Sequence, residues 1–297
     1  MKTTLLFLSV FLSANLFGQN VYIPDANFKA YLVGDSEINT NGDTEIQVSE
    51  ANVFTGTIDC DNEGVLDLTG IEAFTALVGL DCGNNQLTSL DVSQNTSLTV
   101  LKCGYNQLTS LDLSNNTSLF LLRCNQNQLT SLDVSTNIAL TELWCSGNQL
   151  TSFDVSTNIA LIELLCLYNS ITELDISNNP NIMHLDASNN ELVCLNVKNG
   201  NSPNIDILYA DYNPNLTCIE VSDLSSILVV WIIDPQTSLS ENCDNACSNT
   251  SNITELTSSK HLIQILDLMG RETTFKPNTP LIYVYDDGSI EKVFTIE

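Results

Sequence analysis

Apolar residues return along most of this chain at one spacing. Leu80, Leu101, Leu122, Leu143, Leu164 and Leu185 lie 21 residues apart. One phrase surrounds them: Leu-x-Cys-x-x-Asn-Gln-Leu-Thr-Ser-Leu-Asp-Val-Ser-x-Asn-x-x-Leu. Ile58 opens a looser coil 22 residues before Leu80, and Leu208 opens another 23 residues after Leu185, so eight coils run from Ile58 to Val221. Each coil also repeats within itself. Leu101, Cys103 and Asn106 return ten residues later as Leu111, Leu113 and Asn116. Alternation over three or four residues fits a strand with one buried face, and neither half has the length of an α-helix. The pattern predicts two short extended runs and two corners per coil. Stacked coils then form two parallel sheets around a narrow apolar core. One coil cannot bury its own apolar face, so stacking supplies the stability.

Four polar or soft columns run through the stack. Asn85, Asn106, Asn127, Asn148, Asn169, Asn190 and Asn213 form one, and Asn95, Asn116, Asn137, Asn158 and Asn179 a second. A side-chain amide both donates and accepts, so at a corner it satisfies backbone groups of its own and the neighbouring coil. Asn95-Thr96-Ser97 and Asn116-Thr117-Ser118 are glycan acceptor sequences, but they fall at corners expected to be buried. Cys60, Cys82, Cys103, Cys124, Cys145 and Cys166 form the third column, at an inward strand position. Neighbouring strands lie about 4.8 Å apart, whereas a disulfide wants Cβ atoms about 3.8 Å apart with a staggered dihedral. These six are therefore expected as buried thiols, and a straight column cannot surround a metal ion tetrahedrally. Asp91, Asp112, Asp133, Asp154 and Asp175 form an outward column, with Ser93, Ser114, Ser135, Ser156 and Ser177 two residues on.

The segment Leu98-x-x-Leu101-x-Cys103-x-x-Asn106-x-Leu108 resembles the leucine-rich repeat consensus. The 21-residue length, with its second Leu-Asp-Val/Leu-Ser half, resembles the short bacterial subclass. The resemblance implies a β-rich solenoid, a curved right-handed superhelix with its first sheet on the concave side.

A solenoid needs caps, or its end coils expose core. Residues 19–57 are expected as the N-terminal one, with Phe28, Tyr31 and Leu32 on one face of a short helix. The following loop resembles an EF-hand. Asn39, Asn41 and Asp43 stand at its positions one, three and five, Ile46 at eight and Glu50 at twelve, with Glu45 between them. Asn replaces Asp at position one and Thr44 replaces Gly at position six, so two readings stand: a weak calcium site and a metal-free helical cap. Residues 222–248 are expected as the C-terminal cap, with the apolar run from Ile227 to Ile233 buried. Cys194 and Cys218 leave the inward column for equivalent corners of adjacent coils, and Cys243 and Cys247 follow Trp231. Cys218–Cys243 is the favoured disulfide, with Cys194 and Cys247 the further candidates; spacing alone does not fix the partners.

Charge narrows the function. The chain carries 36 acidic residues against 9 Lys and Arg, a net charge of -27. That excludes the basic stripe a nucleic-acid binder needs, and docking on anionic lipid. Only 15% of residues are charged and 43% are hydrophobic, which excludes an acidic disordered tail. Residues 1–18 read as a secretory signal, with Lys2 before an apolar run too short to span a bilayer. The mature chain is therefore expected to be exported, with no membrane span.

Residues 249–260 are polar and Ser/Thr-rich, a linker. Residues 261–297 then abandon the repeat. Leu262 to Leu266 alternates, and Leu281 to Tyr285 and Ile290 to Ile296 flank Asp286-Asp287-Gly288-Ser289, a hairpin signal. A small antiparallel β module follows from these. Its Asp267-Leu-Met-Gly-Arg-Glu272 segment and the terminal hairpin resemble the C-terminal sorting domain of the bacterial type IX secretion system. That resemblance implies recognition by an outer-membrane translocon, and a place outside the outer membrane of a Bacteroidota bacterium.

No catalytic set stands out. The two histidines are His184 and His261, and no phosphate loop, zinc spacing or nucleophile elbow is present. The outward positions of the first strands do break the monotony. They run Lys102, Arg123, Trp144, Leu165, Asp186 and Tyr209, and one step before the Leu column Val100, Leu121, Glu142, Glu163, His184 and Ile207. Tyr105 and Tyr168 sit just past the strands. Aromatic and Arg anchors are common hot-spot chemistry. These positions point to a non-catalytic binding face for an extracellular protein or glycan, centred on Arg123, Trp144 and Leu165. The competing reading is a structural spacer with no specific ligand.

Overall fold

The computed structural model describes residues 18–226, 231–243, 247, 262–266, 271–274, 281–285 and 290–293. The apolar core of the expected signal, the 249–260 linker, His261, Asp267–Gly270 and the turn Asp286–Ser289 lie outside them. The chain divides into two compact units at Cys247 and Ser248.

The first unit starts with α1 (Ala26–Gly34). Asp25 caps it, accepting from the N–H groups of Asn27 and Phe28 at 2.9 and 3.0 Å through Oδ1. Its Oδ2 accepts from Leu66 and Asp67 at 2.8 and 3.2 Å, which ties the cap to the first coil. Phe28 and Leu32 are fully buried, and the Tyr31 hydroxyl accepts the Asp59 N–H at 3.0 Å. A four-residue helix, α2 (Val48–Ala51), completes the cap.

The coils follow. Strands β1 (Thr57–Asp59), β2 (Gly79–Asp81), β3 (Val100–Lys102), β4 (Leu121–Arg123), β5 (Glu142–Trp144) and β6 (Glu163–Leu165) each open one coil. From the β6 coil onward a second strand follows in each coil. The strands after β6 are β7 (Glu173–Asp175), β8 (His184–Asp186), β9 (Cys194–Asn196), β10 (Ile207–Tyr209), β11 (Cys218–Glu220) and β12 (Ser238–Ser240). The first sheet is parallel and eight-stranded, in the order β1-β2-β3-β4-β5-β6-β8-β10. Its central leucines pair in register, Leu80 with Leu101, Leu101 with Leu122, and onward to Leu208. The leucines from Leu80 to Leu185 and the six column cysteines are fully buried. Each such leucine contributes about 1.5–3 kcal/mol against exposure.

The second sheet is shorter than the pattern predicts. It has four strands, β12-β11-β9-β7, all near the C-terminal end of the stack. In earlier coils the second run makes no ladder. Just before it, Gln107 N–H reaches Leu87 O at 2.8 Å, and Leu108 N–H goes to the Asn127 side chain at 2.9 Å. The ladder begins where Thr-Ser gives way to Thr172-Glu173, Val193-Cys194 and Thr217-Cys218. Its two middle strands are the ones that disulfides anchor.

The expected C-terminal cap is itself a coil. Ile232 bridges Tyr209 in parallel, and β12 pairs with β11. Trp231, buried, takes the inward position after Leu208 and donates from Nε1 to Ile205 O at 3.1 Å. Of the run expected to be buried, residues 227–230 lie outside the described residues, Trp231 is buried and Ile232 is 47% exposed. Gln236 takes the place of the corner asparagine and donates from Nε2 to Asn213 O at 3.3 Å, while Asp234 accepts from the N–H groups of Tyr212 and Asn213 at 3.0 and 2.7 Å. The stack therefore ends in a ninth, degenerate coil whose Trp covers the core.

The second unit is a three-stranded antiparallel sheet: β13 (Leu262–Leu266), β14 (Leu281–Tyr285) and β15 (Ile290–Val293). Leu281 pairs with Val293 and Val284 with Ile290, the register of a hairpin across the predicted turn.

Candidate binding face

The outward residues of the first sheet form two columns beside the buried leucines. Pairing aligns Lys102, Arg123, Trp144, Leu165, Asp186 and Tyr209 in one, and Val100, Leu121, Glu142, Glu163, His184 and Ile207 in the other. All are partly exposed or exposed, because a strand turns alternate side chains to opposite faces.

The sequence presents Arg123, Trp144 and Leu165 as separate anchors. The structure joins two of them to further residues. The Arg123 guanidinium carbon lies 3.6 Å from the Trp144 ring centroid, and its Nη2 lies 3.5 Å from Glu142 Oε2. Trp144 Nε1 donates to Glu163 Oε2 at 3.2 Å. Glu163 Oε1 lies 2.7 Å from His184 Nδ1, and the His184 ring meets the edge of Tyr209 at 6.5 Å. Lys102 Nζ sits 3.0 Å from Asp81 Oδ2. Asp81, His184 and Tyr209 therefore belong to the face. Their signal was present in the columns, where each stands one coil from an opposite charge or a ring. Holding these side chains in place beforehand reduces the ordering cost of binding.

An apolar edge adjoins this network and escaped the sequence reading. Phe120, Ile162 and Met183 precede their strands and are 44%, 44% and 47% exposed. Ile138 and Ile159, at the preceding corner, are about 60% exposed. Backbone bonds align this edge coil by coil, Thr141 N–H to Phe120 O and Ile162 N–H to Thr141 O, both at 2.9 Å.

Past the strands, each coil turns through one residue in the left-handed region. Tyr105, Gln126, Gly147, Tyr168, Asn189 and Tyr212 have φ of 55°, 54°, 63°, 54°, 53° and 55°. The turn is set by coil-to-coil bonds, such as Tyr105 N–H to Asn125 O at 2.8 Å. Tyr105 and Tyr168 are 56% and 58% exposed, and Tyr212, which the sequence reading omitted, is 68% exposed.

The asparagine columns carry the corners. Asn106 Oδ1 accepts the Leu87 N–H at 2.9 Å, and its Nδ2 donates to Cys82 O, Cys103 O and Gly104 O at 3.0–3.2 Å. Asn116 Nδ2 donates to Val92 O and Asn95 O at 3.0 Å, while its Oδ1 has no protein partner. Asn95 and Asn116, which open the two glycan acceptor sequences, are fully buried, as their corner positions led one to expect. Asn199 extends the second column, donating to Asn179 O at 3.0 Å.

The column cysteines are unpaired. Burial pushes the Cys124 thiol up to about 12. Cys194 bonds Cys247 and Cys218 bonds Cys243. Cys194 and Cys218 begin strands β9 and β11, where the spacing had suggested corners. On the outward column, hydrogen bonds from Ser93 hold Asp91 below the usual carboxylate range, and those from Ser114 and Ser135 do the same for Asp112 and Asp133.

The EF-hand-like residues spend their oxygens on the cap. Glu50 Oε1 accepts from Thr40 N–H, Thr40 Oγ1 and Asn41 N–H at 2.8–3.1 Å, and Oε2 accepts the Gln47 N–H at 3.0 Å. Asn39 Oδ1 accepts the Gly42 N–H at 3.1 Å. Gln47 Nε2 reaches Asp43 Oδ2 at 3.1 Å, and Glu45 pairs with Lys29 at 2.6 Å. Among the described residues, no three or more His, Cys, Asp or Glu side chains are grouped to hold a metal ion. None of the helices described is long and apolar enough to cross a membrane.

No family model matches the chain. Internalin J of Listeria monocytogenes serotype 4b (strain F2365) is 41% identical over 78 residues, a match spanning 26% of this chain and 8% of internalin J. Internalin C2 from Listeria monocytogenes str. 4b F2365 aligns with 71% of this chain and 94% of its own, at 18% identity and a TM-score of 0.58. Internalin F from the same strain aligns with 77% of this chain and 74% of its own, at 19% identity and a TM-score of 0.55. Eight stacked parallel strands, two corner columns and these likenesses together establish the chain as a protein of the leucine-rich repeat fold.

Proposed function

We propose that this chain is an exported, non-catalytic binding protein that holds a protein or glycan on the outward face of its first sheet. The observation that carries the reading is the joined set Glu142, Arg123, Trp144, Glu163, His184 and Tyr209, on a frame that otherwise repeats. Core columns need no such set, since outward residues add little to stacking. The neighbouring apolar edge of Phe120, Ile162 and Met183 adds surface of the kind that marks association sites. The repeat fold shared with internalins supports protein binding, since repeat solenoids offer extended faces for partners.

Export is part of the same proposal. Residues 1–18 serve as the signal, and residues 261–297 as a type IX sorting domain behind the 249–260 linker. The destination is the exterior of the outer membrane. Removing residues 262–297 then leaves the protein in the periplasm; arrival of the shortened form at the surface or in the medium overturns that route. The cap loop of Asn39, Asn41, Asp43, Glu45 and Glu50 is a further proposal, a weak calcium site, and a calcium titration without heat dismisses it.

The binding reading is tested by immobilising the mature chain and capturing extracellular proteins and glycans with wild type and with Arg123→Ala/Trp144→Ala. The double variant should lose a ligand that wild type retains, with little change in Tm. Equal capture by both makes the chain a spacer.

A further inference from the structure

The corner after each first-sheet strand requires a left-handed residue, and asparagine and glycine meet that need at low cost. Asn84, Gly147 and Asn189 do so at φ of 49°, 63° and 53°. Tyr105, Tyr168 and Tyr212 do not, because a bulky side chain is an outlier at positive φ. Nor do their rings recover the cost by burial, since all three are more than half exposed. Strain kept without a packing return is a mark of function.

We propose that this tyrosine row is a binding edge for a neutral polysaccharide. It rests on the reading of the chain as a binding protein, but not on the Arg123–Trp144 network. The three rings stand on one edge at whole-coil intervals, about 14 Å from Tyr105 to Tyr168 and about 10 Å from Tyr168 to Tyr212 at the parallel strand spacing. Between them lie Gln126, Gly147 and Asn189. Two residues further along each of four successive coils stands an exposed glutamine, Gln86, Gln107, Gln128 and Gln149. From Gln86 to Ser170 neither position carries a charge, and Glu191 is the one charged residue at them before Tyr212, in a chain of net charge -27. Amides donate to and accept from hydroxyl groups, and a tyrosine ring offers a flat apolar face with a polar tip. Such a row suits a hydroxylated, uncharged chain whose sugar rings stack on the tyrosines. A protein partner would favour the charged and aliphatic groups of the neighbouring face.

The test is native affinity electrophoresis of the mature chain through gels containing soluble polysaccharides. The probes are a β-1,3-glucan, a β-1,4-glucan, a mannan and an α-glucan, with an anionic pectin as the charged comparison. At least one neutral polymer should slow wild type, and Tyr105→Asn/Tyr168→Asn/Tyr212→Asn should lose that retardation at least tenfold. The matching Tyr→Phe triple variant should retain it. Because asparagine suits the turn, the Asn variant should melt at or above the wild-type Tm. No retardation by any neutral polymer overturns the proposal, as does retardation by pectin alone or retention of binding by the Asn variant. A fall in its Tm also overturns it, because the rings are then structural. Arg123→Ala/Trp144→Ala run alongside separates the two readings. If that variant alone loses a captured ligand, the tyrosine edge fails while the general binding reading stands.

Discussion

The guanidinium carbon of Arg123 lies over the indole of Trp144 in the next coil, 3.6 Å from its centroid. One β-ladder register places them there, and Glu142 and Glu163 hold the pair from either side at 3.5 and 3.2 Å. A partly exposed cation–π contact contributes about 0.5–1 kcal/mol. Arg123→Ala and Trp144→Ala should therefore be non-additive in stability by about that amount in a double-mutant cycle. Strict additivity would show that the stack does not hold in solution.

The two asparagine columns should differ in worth. Asn106 satisfies a neighbouring N–H and three carbonyls, whereas Asn116 satisfies two carbonyls and leaves its own oxygen without a protein partner. Asn106→Ala should cost about 2–3 kcal/mol and Asn116→Ala about 1–2, within the range for orphaned buried groups. Urea titration of both variants reads the order directly, and a larger loss for Asn116→Ala would reverse the account.

The six column thiols should resist alkylation in the folded protein. Burial pushes Cys60 and Cys124 up to about 12 and raises the other four as well, so thiolate is scarce even at pH 9. Mass spectrometry should find no adduct before denaturation and six after it. Finding the six already oxidised would contradict the unpaired column.

The disulfides should govern the C-terminal end. Cys218–Cys243 closes 25 residues and Cys194–Cys247 closes 53. Losing one typically costs about 2–4 kcal/mol. Cys218→Ala/Cys243→Ala should raise hydrogen exchange at Ser238–Ser240 first, leaving β2 to β5 protected. Uniform loss of protection would mean the stack unfolds as one unit.

Acid should loosen the N-terminal cap. Burial alone would raise Glu50, but hydrogen bonds from Gln47, Thr40 and Asn41 outweigh it and leave the carboxyl below its ordinary value of 4.5. Its contribution is present in full above that value and is lost as pH falls through the lower folded value. Burial likewise works against Asp25, and its backbone bonds outweigh it in the same direction. Glu50→Gln should lower stability at pH 7 by about 1–3 kcal/mol, since it loses charge-assisted bonds. It should also flatten the stability profile below pH 5, measured by thermal melts; an unchanged acid limb would place the transition elsewhere.

Much of this fold was legible in the chain, because a 21-residue repeat states its pairing in every coil. In-register stacking puts Leu101 against Leu122 whatever else happens, and alternation then decides which residues face inward. The cysteine column, both asparagine columns and the outward series from Lys102 to Tyr209 follow from that counting. The second sheet did not follow. The apolar alternation of its strands recurs along the stack, yet backbone pairing occurs only from Glu173 onward, where the preceding Thr-Ser pair is replaced.

Contacts made across coils were also beyond reach of the pattern. Asp25 reaching Leu66, Trp231 sealing the last core, and Glu163 shared by Trp144 and His184 join residues 19 to 41 positions apart. Each depends on rotamers and on what the adjacent coil offers. The left-handed φ at Tyr105, Tyr168 and Tyr212 is likewise a property of the corner, imposed by bonds to the next coil and hidden in residues that ordinarily avoid it. The periodic residues specified the frame because burial acts on every coil alike. The binding face depended on tertiary structure because it is made of the positions where coils differ.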